Sequence, residues 1–250
     1  MRLARFSLDG QVHNGVVESD RIHQLAGSFF DAVEKTGHSF SFAEVTLLTP
    51  VEPSKVICIG LNFKDHAAEI GQNPQDEPLM FFKPPSSLIA TGEKIVIPPQ
   101  TKKAELEVEL ALVVGKKAKN ISEADAKSYI LGYTIANDVT ARDVQFSDLQ
   151  WARSKGFDTF GPLGPWIETD FQTANKKLIS RVNGEVRQSG NTQEMIASPE
   201  ALIAYVSQNL TLFPGDVILT GSPAGISGFQ SGDLVECEIE GIGTLSNPVA

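Results

Sequence analysis

The stretch AELEVELALVVG, residues 104–115, alternates carboxylate with hydrocarbon and then turns wholly apolar. Successive side chains of a strand point to opposite faces, so Glu105, Glu107 and Glu109 share one face while Leu106, Val108 and Leu110 share the other. From Leu110 onward both faces are apolar, which predicts a strand running into a core. Carboxylates about 5 Å apart repel by roughly 3 kcal/mol at an effective dielectric near 20. A hard cation with oxygen ligands, Mg²⁺, Mn²⁺ or Ca²⁺, removes that cost. The segment LVECEIEG, residues 234–241, repeats the spacing at Glu236, Glu238 and Glu240. Spacing alone therefore does not separate a metal site from a solvated strand face.

Other polar groups gather at the ends of apolar runs. GYTIANDVTARDVQ, residues 132–145, reads as a strand delivering Asp138, Arg142, Asp143 and Gln145 at its end, where catalytic groups are commonly presented. An Asp–Arg pair bracing a turn is the alternative. KVICIGL, residues 55–61, suits a buried strand. The polar segment from Asn62 to Pro78 is long for a connection and fits a lid, with a short helical stretch and breakers at Gly71, Asn73 and Pro74. In it His66 and Glu69 lie three apart, so on a helical turn they share a face, and a carboxylate beside an imidazole can orient it as a base. An exposed helical turn would show the same spacing. Lys83 and Lys155, the latter read as lying in a glycine-containing loop, could each hold a substrate carboxylate or be ordinary surface lysines. Thr220-Gly221-Ser222-Pro223 closes a short apolar strand with a turn whose N–H groups and hydroxyl could meet an anion. His13, His23 and His38 show no metal-ligand spacing.

The remaining elements complete a strand-rich α+β class rather than an alternating βα layout. Asp9-Gly10 and Asn14-Gly15 are hairpin-type dipeptides, and residues 1–50 read as a small N-terminal β module linked through Val51-Glu52-Pro53 to a main body over 51–250. Ser122 with Asp125 predicts a helix start, running to about Leu131 and stopping at Gly132. Ser198-Pro199 opens another, with Leu202, Ile203 and Val206 on its apolar face. Turns are expected at Asn183-Gly184, Pro214-Gly215 and Ser231-Gly232-Asp233.

Composition narrows the partners. A net charge of −10 argues against nucleic acid and acidic lipid, yet leaves room for a small anion at a locally positive or cation-loaded site. No apolar run is long enough to cross a bilayer, and the start lacks the apolar stretch of a secretory signal. Two cysteines in apolar surroundings, Cys58 and Cys237, read as buried thiols of a reducing compartment, with the cytoplasm as the expected location.

Taken in order, GLNFKDHAAE (60–69), FFKPPSSLI (81–89), ELEVELALVVG (105–115), GYTIANDVTARDVQ (132–145), KGFDTFGPLGPWI (155–167), VNGEVRQSGNTQEM (182–195) and FPGDVILTGSPAGI (213–226) resemble the fumarylacetoacetate hydrolase family over roughly residues 50 to 250. The resemblance implies a mixed β-sandwich roll, a homodimer, and Mg²⁺, Mn²⁺ or, less often, Ca²⁺ held by Glu107, Glu109 and Asp138. It implies a lid pair, His66 with Glu69. It also implies substrate contacts at Lys83, Arg142, Gln145, Lys155 and Thr220, with Lys155 among the catalytic groups. Phe63 stands where Tyr is common in the family, Glu105 where Asp is common, and Ser222 where Thr is usual. The implied substrates are small 2-oxo and 2,4-dioxo acids. Retention of both His66 and Glu69 points toward C–C bond hydrolysis of an acylpyruvate-type acid. Oxaloacetate decarboxylation and isomerisation of hydroxymuconate-type or 2-hydroxyhepta-2,4-diene-1,7-dioate acids are the alternatives in the same family, and a non-catalytic metal-binding protein is a remote one.

Overall fold

The structure is a computed structural model that describes all residues except 32, 70 and 72–75. The expected breakers Asn73 and Pro74 lie outside the described residues.

The chain is strand-rich, as its pattern predicts. A twelve-stranded sheet runs in spatial order Lys35–Ser41, Arg21–Leu25, Gln11–Glu18, Arg2–Leu8, Gly161–Glu168, Ile130–Asn137, Val108–Val114, Val217–Leu219, Val56–Gly60 and Leu79–Lys83, with the short strands Thr46–Leu47 and Leu88–Ile89 pairing off this path with Arg2–Leu8 and Gly161–Glu168. The strand Val108–Val114 lies inside it and is buried on both faces, which is why its sequence loses alternation. Leu110 and Leu112 face one core, shared with Leu178, Leu202, Ile203, Cys237 and Ile239. Ala111 and Val113 face another, with Leu163, Ile167 and Val217. A four-stranded sheet, Glu185–Asn191, Lys177–Val182, Leu234–Ile239 and Gly243–Pro248, supplies the opposing layer. A third, small sheet joins Thr140–Ala141, Ala104–Leu106 and Ser227–Gly228.

Glu107 falls in the gap between Ala104–Leu106 and Val108–Val114, where the chain leaves one sheet for the other. Its backbone N–H donates to the Asn137 side chain at 2.9 Å, and its carbonyl accepts from the Asp138 N–H at 2.9 Å. The corner thus sets Glu107 beside Asp138.

Several local signals are realised. Asp9 and Gly10, at φ 50° and 78°, turn the first hairpin, and Asn183 with Gly184 turns another at φ 52° and 81°. The helix Pro199–Asn209 begins at Ser198, whose hydroxyl accepts from the Ala201 N–H. Other local signals yield to packing. Asn14-Gly15 is not a turn but lies within Gln11–Glu18, where a Cβ on Gly15 would strike Ile22 and Phe6. The helix after Ser122 stops at Ala126, continues as one 3₁₀ turn over Lys127–Tyr129, and gives way to the strand from Ile130. Ile130 and Leu131 are claimed by the sheet, through partners such as Val114, rather than by the helix. The first strand pairs with Gly161–Glu168 (Leu3 opposite Ile167), so the N-terminal strands extend the large sheet. No helix among the described residues is long and apolar enough to cross a membrane.

Candidate metal centre and lid

Oxygen atoms of Glu107, Glu109 and Asp138 lie within 4.8 Å of one another, and all three residues are buried. Glu109 comes from the Val108–Val114 strand, and Asp138 directly follows the neighbouring strand Ile130–Asn137. The second glutamate triplet behaves differently. Glu236 and Glu238 are half-buried and Glu240 is exposed, and Glu238 pairs with Arg181 at 2.7 Å.

Buried carboxylates demand compensation. Lys155 Nζ donates to Glu107 at 2.9 Å and to Asp138 at 2.6 Å. Lys83 Nζ donates to the other Asp138 oxygen at 2.5 Å and to the Val139 carbonyl at 3.0 Å. Arg142 donates to Glu105 at 2.6 Å, to Gln145 at 2.5 Å and also to Glu107. Burial opposes ionisation of Glu107, but Lys155 and Arg142 outweigh it and hold its carboxyl below the usual range. For Lys155, burial likewise opposes charge, and Asp138 and Glu107 reverse the effect so that its ammonium is held above the usual range.

Glu109 has no such relief. Burial raises its pKa, and the charges of Asp138 and Glu107 raise it further. Its close polar contact is the Gly221 N–H at 2.6 Å, and no lysine or arginine among the described residues forms a salt bridge with it. Four carboxylates, with Glu105, face three buried cations, and Glu109 is the one left without an ion-pair partner among the described residues. An oxygen-only donor set with one uncompensated charge fits a hard divalent ion, which Glu107, Glu109 and Asp138 would hold.

A cavity opens onto these carboxylates and is lined as well by His66, Arg142, Gln145 and Lys155. His66 is buried on the short helix Lys64–Glu69, and its Nδ1 lies 3.2 Å from a Glu69 oxygen. That helix is clasped to a turn far along the chain. The Glu69 oxygens accept from the Gly225 N–H at 3.1 and 3.3 Å, and Asp65 accepts from Ala224 at 3.3 Å.

Eight of the ten residues singled out in the sequence therefore meet around one cavity: seven line it, and Glu69 braces His66 from behind. Lys83 and Thr220 stand apart from its wall. Lys83 is wholly buried behind Asp138, and the Thr220 hydroxyl donates to the Leu110 carbonyl at 2.8 Å while Ser222 reaches the cavity. Lys155 sits on the helix Ala152–Gly156 rather than in a loop, which turns its side chain inward. Phe81, Trp151, Ile59, Gly60 and Leu61 also form the wall. Phe81 and Trp151 meet edge to face at 5.2 Å, and Lys155 Nζ lies 5.1 Å from the Phe81 ring centre. Trp151 carries no motif, and its role becomes visible only when the strand Leu79–Lys83 is placed against it.

Fold and site together describe an enzyme-like cavity over a buried carboxylate cluster that could hold a metal ion. Residues 55–250 match the family model described as fumarylacetoacetate (FAA) hydrolase C-terminal, and residues 1–50 match one described as Rv2993c-like, N-terminal. Human mitochondrial oxaloacetate tautomerase FAHD2A is 47% identical over 220 residues, spanning 83% of this chain and 70% of that protein. The crystal structure of 5-carboxymethyl-2-hydroxymuconate delta-isomerase from Mycobacterium smegmatis superposes with a TM-score of 0.94 at 42% identity, covering 100% of this chain and 99% of that one. The 2-hydroxyhepta-2,4-diene-1,7-dioate isomerase of Mycobacterium marinum gives 0.93 at 41% identity, covering 100% and 98%. The chain belongs to the fumarylacetoacetate hydrolase family.

Proposed function

We propose that this chain catalyses keto–enol proton transfer on a small 2-oxo acid of the oxaloacetate type. The observation that carries the reading is that His66, braced by Glu69, lines the same cavity as Glu107, Glu109 and Asp138. A divalent cation on those carboxylates, Mg²⁺ or Mn²⁺ by donor type, would supply Lewis-acid polarisation of the 2-oxo group. Arg142, fixed by Glu105, Glu107 and Gln145, and Lys155 put positive charge on the cavity wall, where a substrate carboxylate binds and enolate charge develops. With Nδ1 against Glu69, His66 keeps Nε2 for the cavity, to take the proton from carbon 3 and pass it to the 2-oxygen, or in reverse to take it from the enol hydroxyl and deliver it to carbon 3. Relatives named as a tautomerase and as isomerases support proton transfer over bond cleavage.

Hydrolysis of an acylpyruvate-type acid is the second reading, favoured by the same His66–Glu69 pair, which could instead deprotonate water. Decay of enol-oxaloacetate with Mg²⁺ and with EDTA, beside product analysis on acetylpyruvate, separates the two. Metal-dependent enol decay without C–C cleavage is expected. Equally fast release of pyruvate and acetate would transfer the assignment to hydrolysis. His66→Ala should slow the reaction by about 10²–10⁴-fold while Mg²⁺ affinity is retained. An unchanged rate would remove His66 from the mechanism.

A further inference from the structure

Two cavities meet where the lid begins. The cavity over the carboxylates and a second one share Ile59, Gly60 and Leu61 in their walls. The second is otherwise lined by the apolar groups of Pro78, Leu79, Ile196 and Ala197, with Asn62 and the exposed Asp76 and Glu77. A Cβ on Gly60 would lie 3.1 Å from the Trp151 ring and 3.3 Å from Leu79 Cδ2. Trp151 belongs to the first cavity and Leu79 to the second, so the walls of the two cavities meet at Gly60.

Leu61 completes that partition in an unusual state. Its φ is 61°, in the left-handed region that glycine enters freely and a leucine enters at a cost. The position is nevertheless a leucine, is buried, and lines both cavities. Strain held at a site wall points to a use for the side chain that sits there.

Resting on the 2-oxo-acid reading of the site, we propose that Leu61, with Gly60, is the end wall that sets substrate length. Short acids such as oxaloacetate fit in front of it. Removing the Leu61 side chain joins the two cavities and admits long, uncharged acyl tails, which the apolar lining of the second cavity accepts. Asp76 and Glu77 repel a tail that ends in a carboxylate.

The test compares kcat/KM for oxaloacetate, octanoylpyruvate and a carboxylate-ended acid of equal length, read as loss of enol absorbance with Mg²⁺, in wild type, Leu61→Gly and Leu61→Ala. Glycine relieves the left-handed strain and so offsets part of the lost burial, and Leu61→Gly should melt no lower than Leu61→Ala. Alanine opens the wall without adding backbone freedom. In both variants the octanoylpyruvate-to-oxaloacetate ratio should rise by about tenfold or more, the scale at which a pocket discriminates hydrocarbon size. The carboxylate-ended acid should not share the gain. An unchanged ratio in two folded variants overturns the length filter, and an equal gain for the carboxylate-ended acid overturns the acidic discrimination. Oxalate carries a chelating head and no tail, so it reports on the head-group site separately. A wild type that shows no Mg²⁺-oxalate binding in calorimetric titration, and that turns over none of these acids, overturns the proposed function and the filter with it.

Discussion

Glu109 is the buried carboxylate whose charge no lysine or arginine among the described residues meets, so it is where the centre registers the presence of a cation. Glu109→Gln should weaken Mg²⁺ binding beyond the roughly 10–100-fold typical of losing an outer partner. The metal-free protein should melt no lower, because an uncompensated charge has gone. Calorimetric titration and a melting curve check both parts, and intact affinity would remove Glu109 from the ligand set. Thr134 is a second exposed weakness in the accounting of polar groups: its hydroxyl is buried without a hydrogen-bond partner. Thr134→Val should raise stability by about 1 kcal/mol or leave it level in urea denaturation, and a clear loss would mean the hydroxyl has an unseen partner. Cys58 and Cys237 are both wholly buried, and burial pushes both thiols up, Cys58 with a further push from Asp138. Both should stay protonated and unreactive toward a thiol reagent at about pH 8 until the protein unfolds. Rapid labelling of the native protein would contradict that placement.

The helix Lys64–Glu69 shows which contacts a sequence displays and which it hides. His66 and Glu69 were readable as partners because three residues separate them on one helical turn. The clasp that seats the helix was not, since Asp65 and Glu69 bond to N–H groups of Ala224 and Gly225 more than 150 residues away in sequence. Gly225 has φ 96°, and a Cβ there would press on the Arg187 carbonyl. Gly225→Ala should therefore shift the turn, loosen the clasp and lower kcat with Mg²⁺ affinity kept; parallel loss of metal binding would mean the turn supports the centre instead. The two glutamate triplets make the same point. Their spacing is identical, and what separates them is that Val108–Val114 is covered on both faces while Leu234–Ile239 is covered on one. Turn dipeptides were legible where their geometry is local, as at Asp9-Gly10. They misled at Gly15, whose need for a bare backbone comes from Ile22 and Phe6 on neighbouring strands.

For the molecule as a whole, strand-rich character and the order of the site segments could be read from the chain, whereas the spatial strand order could not, because partners such as Arg2 and Glu168 are distant in sequence. The three carboxylates join the corner between two sheets, so a cation bound there should stabilise the entire fold. At a hundred times its dissociation constant the gain is about 2.7 kcal/mol, or roughly 5–10 °C in melting temperature for a chain of this size. Scanning calorimetry with Mg²⁺ against EDTA checks it, and superimposable curves would argue against occupancy.

The pairing of the first strand with Gly161–Glu168 also bears on how the protein is made. During synthesis at about 5–20 residues per second, Arg2–Leu8 emerges roughly 8–30 s before its inner neighbour exists. For that interval the Arg2–Leu3 end of the strand stays open to any passing strand, because Thr46–Leu47 covers only Phe6 and Ser7, and that hazard ends when translation has passed residue 168.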